Sequence, residues 1–291
     1  MKLLGVALLA AIAGGTPTPK PHIYAAVTEG PRLGVVSADG GRWFYPTHAA
    51  PIFLSPDLPE VMWSTLGRKL TVTLLGGPQN TVRTGTQTAV AYGTHGRIYY
   101  ASGKTIVALG GEPVQAQIPR GSIGELSPAP DGTSFAVSTP DLYVVTPTRT
   151  TLLAREVDPL SERPRPAWSP DGAHIAYDSG HDLWVVAPDG TGRRRLTRTP
   201  HRDEVRLTWS PDGTRLAFTR NGSSFVATLD GQVTPLGEGA VGAWSPDGTQ
   251  IALIRQPNVV VLPASGGAAR VVVHLSGDPN RNFVDAVSWL K

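Results

Sequence analysis

The residues best suited to binding chemistry in this 291-residue chain are arginines in short charged segments between apolar strands. Arg165 and Arg206 each precede a tryptophan by three residues, and Arg198 and Arg202 lie between them. Grouped guanidinium ions bind carboxylate or phosphate because each can donate two parallel hydrogen bonds. If the fold gathers these segments, we expect a site for an anionic ligand or an acidic segment of a partner.

Neighbouring groups complete this candidate site. The full set is Arg165, Arg198, His201, Arg202, Asp203, Glu204, Arg206, Arg281 and Asp285. Asp203 and Glu204 can instead neutralise the arginines in local ion pairs, and exposed pairs of this kind contribute little to stability. Two alternatives therefore stay open: a partner-binding site and a charged, solvated surface.

Other patterns give no prediction of catalysis. The seven histidines have no metal-ligand spacing, and the sequence contains neither cysteine nor a Gly-x-Ser-x-Gly motif. The segment 278–282 begins like a calcium loop, but Phe283 stands where that loop needs glycine. We predict no catalytic residue, no metal ligand and no cofactor.

A repeated phrase predicts the elements that position these groups. Trp-Ser-Pro-Asp-Gly occurs at 168–172, 209–213 and 244–248, at intervals of 35 to 41 residues, with degraded copies toward the N-terminus. An apolar run leads into each copy, Pro, Asp and Gly favour a tight turn, and an alternating segment follows as a half-buried strand. The phrase therefore predicts a β-hairpin, and a second hairpin after it completes a four-stranded unit.

The repeats and the chain ends together predict a closed array. We expect six units at about 50–80, 87–118, 122–153, 164–197, 205–236 and 240–274. A seventh would pair a first strand over 284–290 with strands that begin at 22–27, because this pairing removes open sheet edges. The predicted fold class is all-β, a seven-bladed β-propeller of four-stranded antiparallel blades closed by its N- and C-terminal strands.

The stretch 166–197 resembles the repeat of TolB-type β-propellers. The resemblance is carried by the turn at 168–172, by Ile-Ala-Tyr at 175–177, by Asp-Leu-Trp at 182–184 and by Leu-Thr at 196–197. Residues 208–236 and 243–273 match less fully. The resemblance covers the propeller part of that family alone, without its N-terminal domain, and it implies the fold rather than a function.

The residues of the repeated phrase also have an obvious structural use. The aspartates could form a ring of carboxylates, yet Asp at this turn position is expected to bond its own backbone. The tryptophans could stack on sugars, but as residues of inner strands we expect them to pack between blades. The two sets are Asp171, Asp212 and Asp247, and Trp168, Trp209 and Trp244.

The N-terminal segment predicts export. Met1-Lys2 precedes an apolar run over 3–13 that is too short to span a membrane, so we expect a signal peptide over 1–15 and a Pro-rich tether over 16–21. The propeller would then occupy 22–291, in the periplasm or outside the cell. The net charge of +3 is spread along the chain and predicts neither a nucleic-acid partner nor stable membrane insertion.

Loop geometry predicts where the candidate residues meet. Loops of a four-stranded blade alternate between two faces, so the links between blades share one face with the turns between second and third strands. Inner strands begin at the links, which puts the charged segments around the mouth of the channel. We therefore expect a monomeric, exported binding scaffold that engages a protein, peptide, glycan or anionic ligand there. The alternative is a metal-dependent small-molecule hydrolase or lyase working in the channel.

Overall fold

The structure is a computed structural model. It describes residues 23–29, 32–45, 52–55, 60–65, 69–74, 80–83, 88–109, 111, 113–119, 121–155, 166–180, 182–198, 206–276 and 282–290. These residues form seven four-stranded antiparallel sheets, one for each predicted blade. The predicted signal peptide and tether lie outside the described residues. No helix long and apolar enough to cross a membrane occurs in the described part of the chain.

The strands follow one another in groups of four. The chain begins with β1 (Ile23–Glu29), β2 (Arg32–Ser37) and β3 (Arg42–Tyr45). Blade 1 has β4 (Ile52–Leu54), β5 (Glu60–Thr65), β6 (Lys69–Leu74) and β7 (Asn80–Arg83). Blade 2 has β8 (Ala89–Tyr92), β9 (Ile98–Ser102), β10 (Thr105–Ala108) and β11 (Pro113–Gln115), with a short 3₁₀ turn at Thr94–Gly96. Blade 3 has β12 (Glu125–Pro128), β13 (Phe135–Ser138), β14 (Leu142–Val145) and β15 (Thr150–Ala154).

The remaining blades carry the repeated phrase. Blade 4 has β16 (Ala167–Trp168), β17 (Ile175–Ser179), β18 (Asp182–Val186) and β19 (Arg194–Arg195). Blade 5 has β20 (Leu207–Trp209), β21 (Arg215–Arg220), β22 (Ser223–Thr228) and β23 (Val233–Glu238). Blade 6 has β24 (Ala240–Trp244), β25 (Gln250–Arg255), β26 (Asn258–Pro263) and β27 (Arg270–His274). The closing blade 7 combines β28 (Asn282–Trp289) with β1, β2 and β3.

Turn chemistry explains the hairpins of the repeated phrase. In blade 6 the Asp247 carboxylate accepts hydrogen bonds from the Ser245 hydroxyl at 2.6 Å and from the Thr249 backbone N–H at 3.0 Å. These donors hold the pKa of the Asp247 carboxyl below its usual value. Gly248 has φ 68°, which a glycine adopts without steric cost. Asp171 and Asp212 accept the equivalent bonds in blades 4 and 5, so the structural interpretation of these aspartates is confirmed.

Burial of the second strands corrects one expectation. Ile175, Ala176 and Tyr177 of β17 are all completely buried, whereas the alternating pattern predicted a half-buried strand. The reason is that both faces of a blade pack against neighbouring blades. One apolar cluster, for example, joins Leu183 and Val185 of blade 4 to Leu216 and Phe218 of blade 5.

The inner strands lie side by side around the axis of the propeller. Contacts join β8 to β12, β12 to β16, β16 to β20, β20 to β24, β24 to β28 and β28 to β4. Trp209 and Trp244 are 7% and 6% exposed and donate their indole N–H groups to carbonyls of the preceding inner strand, Ala167 O at 2.9 Å and Thr208 O at 3.2 Å. The expected packing of these two tryptophans between blades is confirmed. Trp168 also packs between blades but donates to Gly172 O of its own turn.

Pairing of the two chain ends closes the array. Strand β28 runs antiparallel to β1, from Val284 opposite Val27 to Trp289 opposite Ile23. The Ser288 hydroxyl donates to Ser55 O of blade 1 at 2.8 Å. The predicted closure is therefore confirmed, and β1 has a partner on both sides.

Candidate functional site

An open cavity of about 280 Å³ lies between four consecutive inner strands, where three of them begin. We call it the mouth cavity. Its lining residues come from the starts of β16, β20 and β24, from β28 and from the end of β25: Pro166, Ala167, Arg206, Leu207, Thr208, Val241, Gly242, Ile254, Ala286 and Val287. The charged segments were expected to gather at this end of the channel, and Arg206 does so.

Arg206 carries the only charge among these lining residues. Its side chain is exposed, and Nη1 donates to the backbone oxygen of Asp285 at 3.4 Å, which is long for such a bond. An arginine has five N–H donors in a fork that fits carboxylate or phosphate. Within the described part of the chain, this one contact leaves most of the donor capacity of Arg206 directed to solvent.

Two β-bulges lie in strands that line the mouth cavity. In β28, Ala286 pairs with Ala26 and Val284 with Val27, so Asp285 is an extra residue without a partner in the ladder. In β24, Val241 pairs with Leu253 and Ala243 with Ala252, so Gly242 is the extra residue there. Bulges are frequent next to functional sites because they change the direction of a strand locally.

A glutamine side chain holds the bulge of β28 in place. Gln256 follows β25, and its amide Nε2 donates to Val284 O at 2.6 Å while its Oε1 accepts from Val284 N at 2.9 Å. The side-chain amide thereby acts as a short piece of strand beside β28. Asp285, whose carbonyl accepts the bond from Arg206, is the next residue.

Two other arginines of the described part of this end have bonded or stacked guanidinium groups. Arg255 donates from Nε to Glu238 O at 2.6 Å, and the Arg220 guanidinium carbon lies 4.8 Å from the ring centre of Phe225. The link residue Gly239 also donates to Gly222 O, in the turn between β21 and β22, at 2.7 Å. Links and second-to-third strand turns therefore share one face, as expected.

Comparisons with known proteins agree on the fold. The family described as dipeptidyl peptidase IV (DPP IV) N-terminal region matches residues 131–232. The structure is similar to TolB from Acinetobacter baumannii, with 15% identity and a TM-score of 0.57 over 92% of this chain and 67% of that one. It is also similar to oligogalacturonate lyase in complex with manganese, with 14% identity and a TM-score of 0.59 over 86% of each chain.

The fold is that of a TolB-like β-propeller. Hydrazine synthase of Kuenenia stuttgartiensis is a further similar structure, with 18% identity and a TM-score of 0.52 over 73% of this chain and 76% of that one. No curated protein matches the sequence. At these identities the similarity describes the architecture, so the chemistry of this TolB-like propeller rests on its own residues.

The TolB-like propeller brings together two members of the predicted candidate site. Arg206 lines the mouth cavity and bonds to the backbone of Asp285, whereas Arg198 is exposed and is not one of the lining residues. The other members lie outside the described residues and stay predictions: Arg165, His201, Arg202, Asp203, Glu204 and Arg281.

Sequence reasoning did not recognise that Glu125 of blade 3 occupies the position that Arg206 has in blade 5. Glu125 lies at the start of β12 and pairs with Ser138 of the second strand. Arg206 directly precedes β20, and its carbonyl accepts a hydrogen bond from the N–H of Thr219, which has the place of Ser138 in blade 5. The turn of blade 3 has the same length as that of blade 5, since Gly132 N donates to Ala129 O as Gly213 N donates to Ser210 O. Pro128 stands where blade 5 has Trp209, and this change of residue hides the equivalence in the sequence. Alignment on the second strands, Phe-Ala-Val-Ser with Leu-Ala-Phe-Thr, would have revealed it.

Proposed function

We propose that this TolB-like propeller is an exported, non-catalytic binding scaffold that engages a protein, a peptide, a glycan or another anionic ligand at the mouth cavity. The observation that supports it best is Arg206, whose guanidinium stands at an open cavity with one long hydrogen bond to Asp285 O. A guanidinium in a concave site favours a carboxylate or phosphate group of the ligand. A rigid propeller suits such a role, because functional groups vary on loops without altering the packed core.

A pull-down from exported proteins tests the site. Because the attraction is electrostatic and partly exposed to solvent, we expect wild-type protein to recover a partner better at low than at high salt. Arg206→Gln should lose most of that recovery. Arg194→Gln is the matched control, since Arg194 is an exposed arginine on the outer strand β19 and the change in net charge is the same. Equal recovery by wild type and Arg206→Gln would move the site to another face.

Export is proposed from the basic and apolar pattern of residues 1–15. The expected product is a mature chain that begins after Ala13 or Gly15 and is found outside the cytoplasm. Cell fractionation with N-terminal sequencing checks this. An intact Met1 in the cytoplasmic fraction would contradict it.

A second candidate function is that of a metal-dependent hydrolase or lyase acting on a small molecule in the channel. The similarity to oligogalacturonate lyase in complex with manganese favours it. Among the described residues, no three His, Asp or Glu side chains are grouped as metal ligands. A melting temperature that rises with manganese and returns to its original value with a chelator would support this candidate. An unchanged melting temperature would favour the binding scaffold.

A further inference from the structure

The mouth cavity combines one cation with an apolar wall. Of its ten lining residues, Arg206 and Thr208 alone have polar side chains. Val241, Ile254 and Val287 are at most 9% exposed and belong to the packed interior. A ligand in this cavity therefore meets the guanidinium of Arg206 and, apart from Thr208, only apolar side chains.

We propose that the mouth cavity binds the carboxylate end of a compact apolar group, either a free carboxylic acid or the C-terminal residue of a peptide. This inference rests on the proposed function, which puts ligand binding at this cavity. The carboxylate would accept two parallel hydrogen bonds from the Arg206 guanidinium. The hydrocarbon part would lie against Ala286, Val287 and Val241. The hydroxyl of Thr208 would supply one more polar contact at most.

The size of the cavity fits a small ligand. Sites for drug-sized ligands begin at about 300 Å³, so 280 Å³ holds one amino-acid residue or a short branched acid rather than a long chain. A sugar acid of the same charge is a poor match. Besides Arg206, the side chains that line the cavity offer its ring hydroxyls Thr208 alone as a hydrogen-bonding partner.

The apolar wall is formed in advance by close packing. A Cβ atom added to Gly242 would stand 2.8 Å from the Cβ of Val287 and 3.0 Å from Ala252 O, so β24 and β28 approach each other more closely than side chains allow. Gln256 fixes β28 from the other side through Val284. Because these strands are already ordered, binding loses little free energy to ordering the protein, and even a small ligand can bind detectably.

The test is a ligand series on the wild-type protein, measured by ligand-detected NMR. N-acetyl-L-leucine should bind with a Kd on the order of 1 mM. Its amide, which lacks the charge, should bind about tenfold more weakly or worse, because a hydrogen bond to a charged group is lost. Acetate and galacturonate keep the charge without the apolar body, and both should bind more weakly than N-acetyl-L-leucine.

Two variants locate the binding. Arg206→Gln should remove the preference for the acid over the amide, whereas Ala286→Leu should fill the cavity and weaken N-acetyl-L-leucine. Arg194→Gln should bind like wild type. Thermal melting shows whether each variant folds. If a variant does not fold, the ligand series on the wild-type protein still tests whether the cavity prefers an apolar carboxylate.

A pair of six-residue peptides ending in leucine, with a free or an amidated C-terminus, separates the two sources of the carboxylate. Tighter binding of the free peptide than of N-acetyl-L-leucine assigns the cavity to chain ends. Weaker binding assigns it to free acids.

The inference is overturned if the amide or galacturonate binds as tightly as N-acetyl-L-leucine, or if nothing in the series binds at about 10 mM. Loss of the pull-down partner in Arg206→Gln would still support the proposed function in that case. Conversely, N-acetyl-L-leucine could bind selectively while the pull-down recovers no partner. That result would support the inferred specificity of the cavity and contradict the proposed scaffold role.

Discussion

At the scale of single residues, the packing of tryptophans and the shape of the mouth cavity are directly connected. Trp209 donates to Ala167 O and Trp244 donates to Thr208 O, and both acceptor residues line the cavity. Each tryptophan thus fixes the backbone of the preceding inner strand at the site. In β20 and the residue before it, Trp209 packs between blades while Arg206, three residues earlier, lines the cavity.

Replacement of Trp209 by alanine should lower the free energy of unfolding by about 3–5 kcal/mol, the usual cost of truncating a buried aromatic side chain. Urea denaturation measures this. Trp209→Phe is the control, because phenylalanine keeps most of the apolar contact and loses only the hydrogen bond to Ala167 O. It should lower the free energy of unfolding by about 1 kcal/mol. An alanine variant that keeps its melting temperature yet loses a ligand would make Trp209 a recognition residue.

At the scale of elements, strand β28 has three hydrogen-bonded attachments besides the bond from Arg206 to Asp285 O. It pairs with β1, its Ser288 side chain bonds to Ser55 O, and the Gln256 side chain bonds both backbone groups of Val284. The third attachment comes from blade 6 and lies beside the bulge at Asp285. It therefore affects both the stability of the closing blade and the position of the carbonyl that contacts Arg206.

Gln256→Ala should lower the free energy of unfolding by about 1–3 kcal/mol, because it removes the side-chain partner of both Val284 backbone groups. Chemical denaturation gives the magnitude, and amide hydrogen exchange should show faster exchange at Val284. Gln115→Ala is the control, since Gln115 is exposed and bonds only within blade 2; its effect should stay within about 0.5 kcal/mol. Equal effects of the two substitutions would contradict the role given to Gln256.

At the scale of the whole molecule, closure makes the ends of the chain depend on each other. Strand β28 is the inner strand of a blade whose other three strands come from the opposite end of the chain. It also contacts β4 and β24 on its two sides. The boundaries of blade 7 with blades 1 and 6 therefore exist only when both ends of the chain are in place.

Deletion of residues 284–291 should abolish cooperative unfolding or cause aggregation. The truncation removes most of β28, uncovers one edge of β1 and exposes the apolar cluster around Val27 and Ile254. Size-exclusion chromatography and thermal melting of the truncated and intact proteins check this. A truncated protein that stays monomeric and melts like the intact one would show that closure is dispensable.

Much of the architecture can be derived from local sequence. The turn at 244–248 depends on its Pro, Asp and Gly residues. Asp247 accepts a hydrogen bond from the nearby Thr249 N–H and Gly248 has a positive φ, and both effects are local. Strand alternation, the repeat interval and the complementary chain ends then predict blades and closure. Arg206 was identified in the same way, because its position relative to Trp209 is local.

Other features depend on contacts between residues far apart in the chain. The bulges at Asp285 and Gly242 arise from how inner strands pair with their neighbours, and the Gln256 bond to Val284 joins residues 28 positions apart. The equivalence of Glu125 and Arg206 follows from strand register, which the different residues before the turn of blade 3 conceal. The sequence by itself determined the repeating unit, its turns and its closure, because those follow from local backbone preferences and apolar patterning. Only the tertiary structure decided which residues line the mouth cavity, because a cavity is set by the packing of five separate strands.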